Sequence, residues 1–189
     1  GEQAQLGHGD CVLIHSAAGG VGLAAVQYAQ SVGAVIYATA SPSKHEYLKS
    51  LGIKYITTSR DEDVFESDMK KVVGDSGIDV VLSAGNLIKK SLSLLKRGGC
   101  FVELGKRNIL SEEEMSKQRP DVRYFTYTLN ELLVDEPGRM NTMLKSISSR
   151  IEKGELQPVS MGVCGFQEGL VDGFRRLRSG STIGKVVIR

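Results

Sequence analysis

Residues 11–33 read CVLIHSAAGGVGLAAVQYAQSVG, and the fold is decided there. Cys11 to His15 form a short apolar run suited to a buried strand. A glycine-rich turn follows at Ala17-Ala18-Gly19-Gly20-Val21-Gly22. Beyond it Val21, Ala24, Ala25, Tyr28, Ala29 and Val32 recur at helical spacing, predicting one apolar helix face, and Gly33 closes the helix. Strand, glycine turn and helix in this order are the context that a dinucleotide fingerprint requires. Ala17 stands where GxGxxG has its first glycine. Gly19 lets the backbone approach a diphosphate, Gly22 lets the helix pack close to the strand, and the helix N-terminus offers free N–H donors with a partial positive charge. Ala18, Gly19, Gly20, Val21 and Gly22 are therefore candidate cofactor-binding residues. The plainer alternative is that these glycines only make a tight turn.

Outward from this unit, apolar runs alternate with segments of helical period. Val35 to Thr39, Tyr55 to Thr57, Ile78 to Leu82, Phe101 to Leu104 and Arg123 to Tyr127 read as five further strands. Helices are expected after Ser41-Pro42, over Val64 to Val73, over Ile88 to Leu95 ending at Gly98-Gly99, from Ser111 to Glu114 onward, and from Pro137 to Gly154. Strands alternating with helices predict an α/β, Rossmann-type doubly wound parallel sheet of six strands with helices on both faces. Residues 1–155 are assigned to this domain. Residues 156–189 read as strand, helix and strand after a soft boundary near Gly154 to Pro158.

Composition limits the function classes. Apolar residues are 41% and charged residues 24% of 189, which excludes a disordered or fibrous chain. Net charge is +2 with no block of Lys or Arg, so neither a nucleic-acid nor a membrane partner is expected. Cys11, Cys100 and Cys164 are widely spaced and unpaired by any CxxC, which argues against a disulfide framework or structural zinc and for a reducing, cytoplasmic compartment.

An enzyme using NAD usually carries an acid about 20 residues beyond the turn to hold the ribose hydroxyls. Here Tyr37 to Lys44 read YATASPSK, without an acid. A 2′-phosphate would meet Ser41 and Lys44 there, and Ser59 and Arg60 after the third strand add a hydroxyl and a guanidinium. NADPH is the expected cofactor.

HSAAGGVGLAAVQYAQSVGA, ATASPSKHEYL, TSRD, DVVLSA, GGCFVELGKRNI and the closing GKVVI together resemble the enoyl reductase domain of type I polyketide and fatty acid synthases, in the zinc-free branch of the medium-chain dehydrogenase/reductase superfamily. The resemblance runs through nearly the whole chain. It implies that a GroES-like substrate domain precedes the Rossmann domain and that Leu156 to Arg189 return to it. It also implies a reaction: hydride from NADPH reaches the β-carbon of an α,β-unsaturated thioester on an acyl carrier protein, and a proton then reaches the α-carbon. Lys106 in VELGK matches the family's proposed catalytic lysine, with Gly105 and Ser83 beside the cofactor. Other synthase domains and a second copy of the chain, forming a homodimer, are the implied partners. Thr128 departs from the family, which places an aspartate there, and Leu82-Ser83-Ala84-Gly85-Asn86 lacks the family's asparagine-serine pair. These departures leave open a stand-alone quinone or enone reductase and a nucleotide-binding scaffold module without turnover. His15, His45 and Cys100 are read as structural or surface residues, since none lies in a nucleophile or acid-base arrangement.

Overall fold

The computed structural model describes residues 4–83, 87–105 and 109–189. β1 (Cys11–Ile14), β2 (Val35–Ala40), β3 (Tyr55–Thr58), β4 (Ile78–Ser83), β5 (Leu95–Glu103) and β6 (Arg123–Thr126) form one sheet in the order β3-β2-β1-β4-β5-β6. All five pairings are parallel. The strand order reverses beside β1, and in open α/β sheets this switch point creates the crevice where ligands bind.

Buried residues of this sheet divide between two faces. On one, Val12, Ile14, Ala38, Val80, Cys100 and Val102 pack with Leu23, Val26 and Ala29 of α1 (Gly20–Ser31) and Leu48 of α2 (His45–Ser50). On the other, Leu13, Val81 and Phe101 pack with Phe65, Met69 and Val73 of α3 (Glu62–Val73), Ile88 and Leu92 of α4 (Ile88–Leu94) and Met115 of α5 (Glu112–Gln118). The sequence pattern placed the buried stripe of α1 in part: Ala29 is buried and Ala25, Tyr28 and Val32 pack against the same core, but Val21 and Ala24 are exposed. Val21 is 56% exposed, whereas Gly22, Leu23, Val26 and Ala29 are buried. A helix that is apolar on most sides does not reveal its orientation by periodicity. Contact with the sheet settles it, placing Gly22 against the strand and Val21 outward.

Other boundaries also moved. Ser41 precedes a 3-10 turn, Pro42–Lys44, that leads directly into α2, and its side chain meets Ser43 Oγ at 3.3 Å instead of capping the backbone. β5 begins at Leu95, so Gly98-Gly99 lie within an irregular strand and do not end a helix there. Contacts from distant residues hold it: Gly98 has φ +74°, Asp121 accepts its N–H, and the Arg119 guanidinium gathers the carbonyls of Leu92, Leu95 and Lys96. α5 has the expected acidic start, with Ser111 and Glu114 in a reciprocal capping box. α6 (Leu129–Asp135) was not anticipated. α7 (Pro137–Glu152) buries Met140 but exposes Leu144, Ile147 and Ile151.

The last stretch adds nothing to the main sheet. β7 (Met161–Cys164) and β8 (Lys185–Ile188) form their own two-stranded parallel sheet beside α8 (Leu170–Ser179). Phe166, Val171, Phe174 and Leu177, the expected apolar face of this unit, are exposed.

A row of polar side chains crosses the sheet just below its C-terminal edge. Extending the β1 registers past Ile14 sets His15 between Thr39 and Ser83, and Ser83 pairs with Glu103. All four are buried. The His15 ring is held by Thr39 Oγ1 at 3.1 Å and Ser91 Oγ at 2.8 Å, joining β1, β2 and α4. Burial pushes its pKa down to about 4, so the folded protein keeps it neutral. An unfolded His15 takes up a proton below its ordinary value of 6.5, while the folded one waits until about 4. Its contribution is thus present above pH 6.5 and lost between there and about 4, for a total near 3 kcal/mol. Urea unfolding across this range should show that loss, and His15→Gln should flatten that part of the profile.

Candidate dinucleotide site

β1 ends in a strained turn. Ser16 has φ +52°, a left-handed conformation uncommon for a residue with a side chain. It is held from both directions: its N–H donates to Thr39 Oγ1, its carbonyl accepts the Gly19 N–H at 2.9 Å, and the Ala17 N–H donates to Thr39 O at 2.9 Å. The chain thereby reverses at once into α1. The two elements approach so closely that a Cβ on Gly22 would lie 2.4 Å from Ser16 O and 2.6 Å from Ala17 Cα.

Gly19 is the N-cap of α1, no side chain caps the helix, and its first turn contains no acid. The first N–H groups of a helix have no partner within it. Here they lie at the sheet's C-terminal edge with partial positive charge, which fits an anionic group such as a dinucleotide diphosphate. Ala18, Gly19, Gly20, Val21 and Gly22 are therefore brought together as expected.

The four residues expected at a 2′-phosphate lie beyond the ends of β2 and β3, which are neighbours in the sheet. The Ser59 N–H donates to Ala40 O at 3.2 Å, tying the two strand ends together just ahead of Ser41. Burial and then the Arg60 charge lower the pKa of Lys44. Arg60 is exposed and its guanidinium has no side-chain partner among the described residues. Lys44 Nζ donates to Thr182 O at 2.7 Å. The sequence offered no sign of that contact, which spans 138 positions.

The return segment also touches the glycine turn directly. Gly184 N–H donates to Ala18 O at 2.8 Å, and Gly19 and Gly184 form an isolated parallel bridge. Lys185 lies with its side chain over Gly20: a Cβ there would stand 2.3 Å from Cε and 2.8 Å from Nζ. The only trace of this in the sequence was the closing GKVVI.

At the nicotinamide end the positions are less complete. Ser83 is buried at the end of β4, and its carbonyl accepts the Leu104 N–H at 2.8 Å. Gly105 N–H donates to Glu103 Oε1, a buried carboxylate missed by sequence reading. Its Oε2 has no hydrogen-bond partner among the described residues. Burial and then the Glu103 charge raise the Tyr124 pKa. Lys106 and the loop residues Ala84, Gly85 and Asn86 lie outside the described residues. Thr128 serves as the N-cap position of α6 without a side-chain capping bond.

A profile of the family described as "Zinc-binding dehydrogenase" matches residues 20–149. The chain belongs to that family. Among the described residues no cluster of three His, Cys, Asp or Glu could hold a metal ion. This member of the zinc-binding dehydrogenase family resembles the spectinabilin polyketide synthase system protein NorB of Streptomyces orinoci, with 39% identity over 95% of the chain and 8% of the synthase. The structure of the CurK enoyl reductase superposes with a TM-score of 0.90 at 40% identity, covering all of this chain and 57% of that one. The nucleotide-binding subdomain of the enoylreductase domain of PpsC from Mycobacterium tuberculosis superposes with a TM-score of 0.72 at 36% identity, covering 84% of this chain and 90% of that one. The chain thus spans less than a tenth of the synthase and somewhat over half of the CurK reductase. Family and fold imply a nicotinamide cofactor, and no helix among the described residues is long and apolar enough to cross a membrane.

The two helical glycines of the turn should respond differently to substitution. Gly22→Ala drives a methyl into backbone atoms and should cost about 3 kcal/mol in urea unfolding. Gly20→Ala meets only a lysine stem that can swing away, so its unfolding midpoint should stay within about 1 kcal/mol of the parent.

Proposed function

We propose that this chain is the NADPH-binding part of an enoyl reductase module that reduces an α,β-unsaturated acyl thioester, carried on an acyl carrier protein, in polyketide or fatty acid synthesis. The observation that carries the cofactor choice is the juxtaposition of Lys44 and Arg60 beyond the ends of β2 and β3, with no acid in Tyr37–Lys44. A 2′-phosphate relieves the repulsion of these cations, and Ser41 and Ser59 add hydroxyl donors beside it. An acidic residue, as found at NAD sites, would oppose that phosphate.

The turn from Ala18 to Gly22 binds the diphosphate through the first N–H groups of α1, whose N-terminus offsets its charge. NADPH, when bound, supplies the hydride. Ser83 and Gly105, at the adjacent ends of β4 and β5, border the nicotinamide. Lys106 follows Gly105 in sequence and takes the role of general acid, delivering a proton to the α-carbon while its positive charge stabilises the enolate oxygen of the thioester. Residues 156–189 form part of the substrate domain, which is supported by the separate β7-β8 sheet and the exposed apolar side chains of Phe166, Val171, Phe174 and Leu177. In this setting the partners are the carrier-bound thioester, the other synthase domains and a second copy of the chain in a cytoplasmic homodimer. The polyketide synthase relative supports the setting.

Calorimetric titration of the intact protein tests the cofactor assignment. Arg60→Ala should weaken NADPH about tenfold and leave NADH unchanged, and Lys44→Ala should move in the same direction. Equal affinity of the parent for both dinucleotides would refute the phosphate site. Lys106→Ala should lower kcat with an enoyl thioester by at least about a hundredfold without changing the Kd for NADPH. An unchanged kcat would remove the lysine from the mechanism.

A further inference from the structure

The last buried row of the sheet before its C-terminal edge is polar, although the row before it on the same face is apolar. Side chains alternate between the two faces of a strand, so Thr39, His15, Ser83 and Glu103 share a face with Tyr37, Leu13, Val81 and Phe101, two positions earlier in each strand. Those four earlier residues belong to the apolar core on that face. Thr39 and His15 hold each other, and Thr39 Oγ1 also accepts the Ser16 N–H, fixing the chain as it leaves β1. Glu103 makes the corresponding contact at β5: its Oε1 accepts the N–H of Gly105, just beyond the strand.

Stability alone does not account for a carboxylate at this position. Glu103 is 1% exposed, and its Oε2 has no hydrogen-bond partner among the described residues. Burying a carboxylate without pairing both oxygens is destabilising, and an apolar side chain of similar volume commonly serves the fold as well or better. What the carboxylate does provide is the bond to Gly105, and the place of that bond matters. Lys44 and Arg60 lie beyond β2 and β3, on one side of the glycine turn at β1, and β4 and β5 lie on the other. Neighbouring strands are about 4.8 Å apart, so the end of β5 stands roughly 10 Å from that of β1. A dinucleotide with its diphosphate on the turn and its adenosine toward Lys44 brings its nicotinamide to the ends of β4 and β5, where Gly105 is.

We infer that Glu103 is a positioning residue for the nicotinamide subsite: by holding the Gly105 N–H it fixes the course of the backbone that leaves β5 where that backbone borders the ring. Glu103 acts through Gly105, since its own side chain is buried. This rests on the nicotinamide dinucleotide site proposed above, but not on the choice of NADPH over NADH, because both carry the ring. Thr39 and Glu103 then have matching roles at two points of one site, the first at the diphosphate turn and the second at the nicotinamide.

The test is calorimetric titration of the intact protein with two matched pairs: NADPH against 2′-phospho-ADP-ribose, and NADH against ADP-ribose. The second member of each pair lacks the nicotinamide. Glu103→Met removes the acceptor at similar volume and should weaken NADPH and NADH about tenfold while leaving both ring-free nucleotides unchanged. Glu103→Gln, whose amide oxygen still accepts the Gly105 N–H, should stay within about threefold of the parent. The urea midpoint of Glu103→Met should be no lower than the parent's, because a buried carboxylate is lost and the half-buried Gly105 can turn its N–H to water. A midpoint well below the parent's marks a purely structural residue and overturns the inference. So does an equal loss for ring-bearing and ring-free nucleotides, a Glu103→Met affinity within about twofold of the parent, or a Glu103→Gln loss as large as that of Glu103→Met. If the parent binds NADH as tightly as NADPH, only the 2′-phosphate site fails and the Glu103 comparison still stands. A parent that binds neither dinucleotide refutes both.

Discussion

Close contact between α1 and the end of β1 is the constraint from which the rest of the site follows. Gly22 has no room for a Cβ against Ser16 and Ala17, so the helix starts as soon as the strand stops. A wider gap would move the first N–H groups of α1 away from the sheet edge and merge them with solvent. The strained Ser16 turn is the local cost of that abrupt change of direction, and the bonds to Thr39 stabilise it from the adjacent strand. His15 extends the same support to α4 through Ser91. The polar row below the edge therefore has a mechanical role: it fixes the geometry of a turn that carries almost no functional side chains.

The candidate binding groups come from four separated stretches. Backbone N–H groups from the turn, Lys44 and Arg60 from beyond β2 and β3, and the 182–185 segment meet at one edge of the sheet. Positive charge predominates there. A fold that gathers unpaired cations and an uncapped helix N-terminus is held together by burial elsewhere, on the two apolar faces of the sheet. Glu103 shows the converse situation at the end of β5, where a buried carboxylate accepts the Gly105 N–H on one oxygen and has no partner for the other among the described residues.

Much of this was legible before the structure. The glycine turn, the six strands and their parallel arrangement follow from residue type and period, because strand and helix impose periods of two and 3.6 on apolar positions. The missing acid in Tyr37–Lys44 was equally local. The failures share a cause. The buried stripe of α1 was caught only in part, with Val21 and Ala24 in place of Leu23 and Val26, because nearly every side of that helix is apolar, and Gly98-Gly99 were taken for a helix end because the Arg119 clamp and the Asp121 bond come from residues more than 20 positions away. α6 is short, and its apolar residues Leu129, Leu133 and Val134 are exposed, so it has no clear periodic face.

The sequence by itself determined the fold class, the place of the dinucleotide turn and the residue types beyond β2 and β3, since each depends on neighbours within a few positions. Only the tertiary structure decided which of these residues share a site. The register of β1 with β2 and β4 set Thr39, His15 and Ser83 side by side, and the docking of Gly184 on Ala18 brought Lys185 over Gly20 and Thr182 to Lys44. No local propensity encodes such contacts. They arise when packing closes the chain on itself and hydrogen-bond donors must find acceptors wherever the fold has put them.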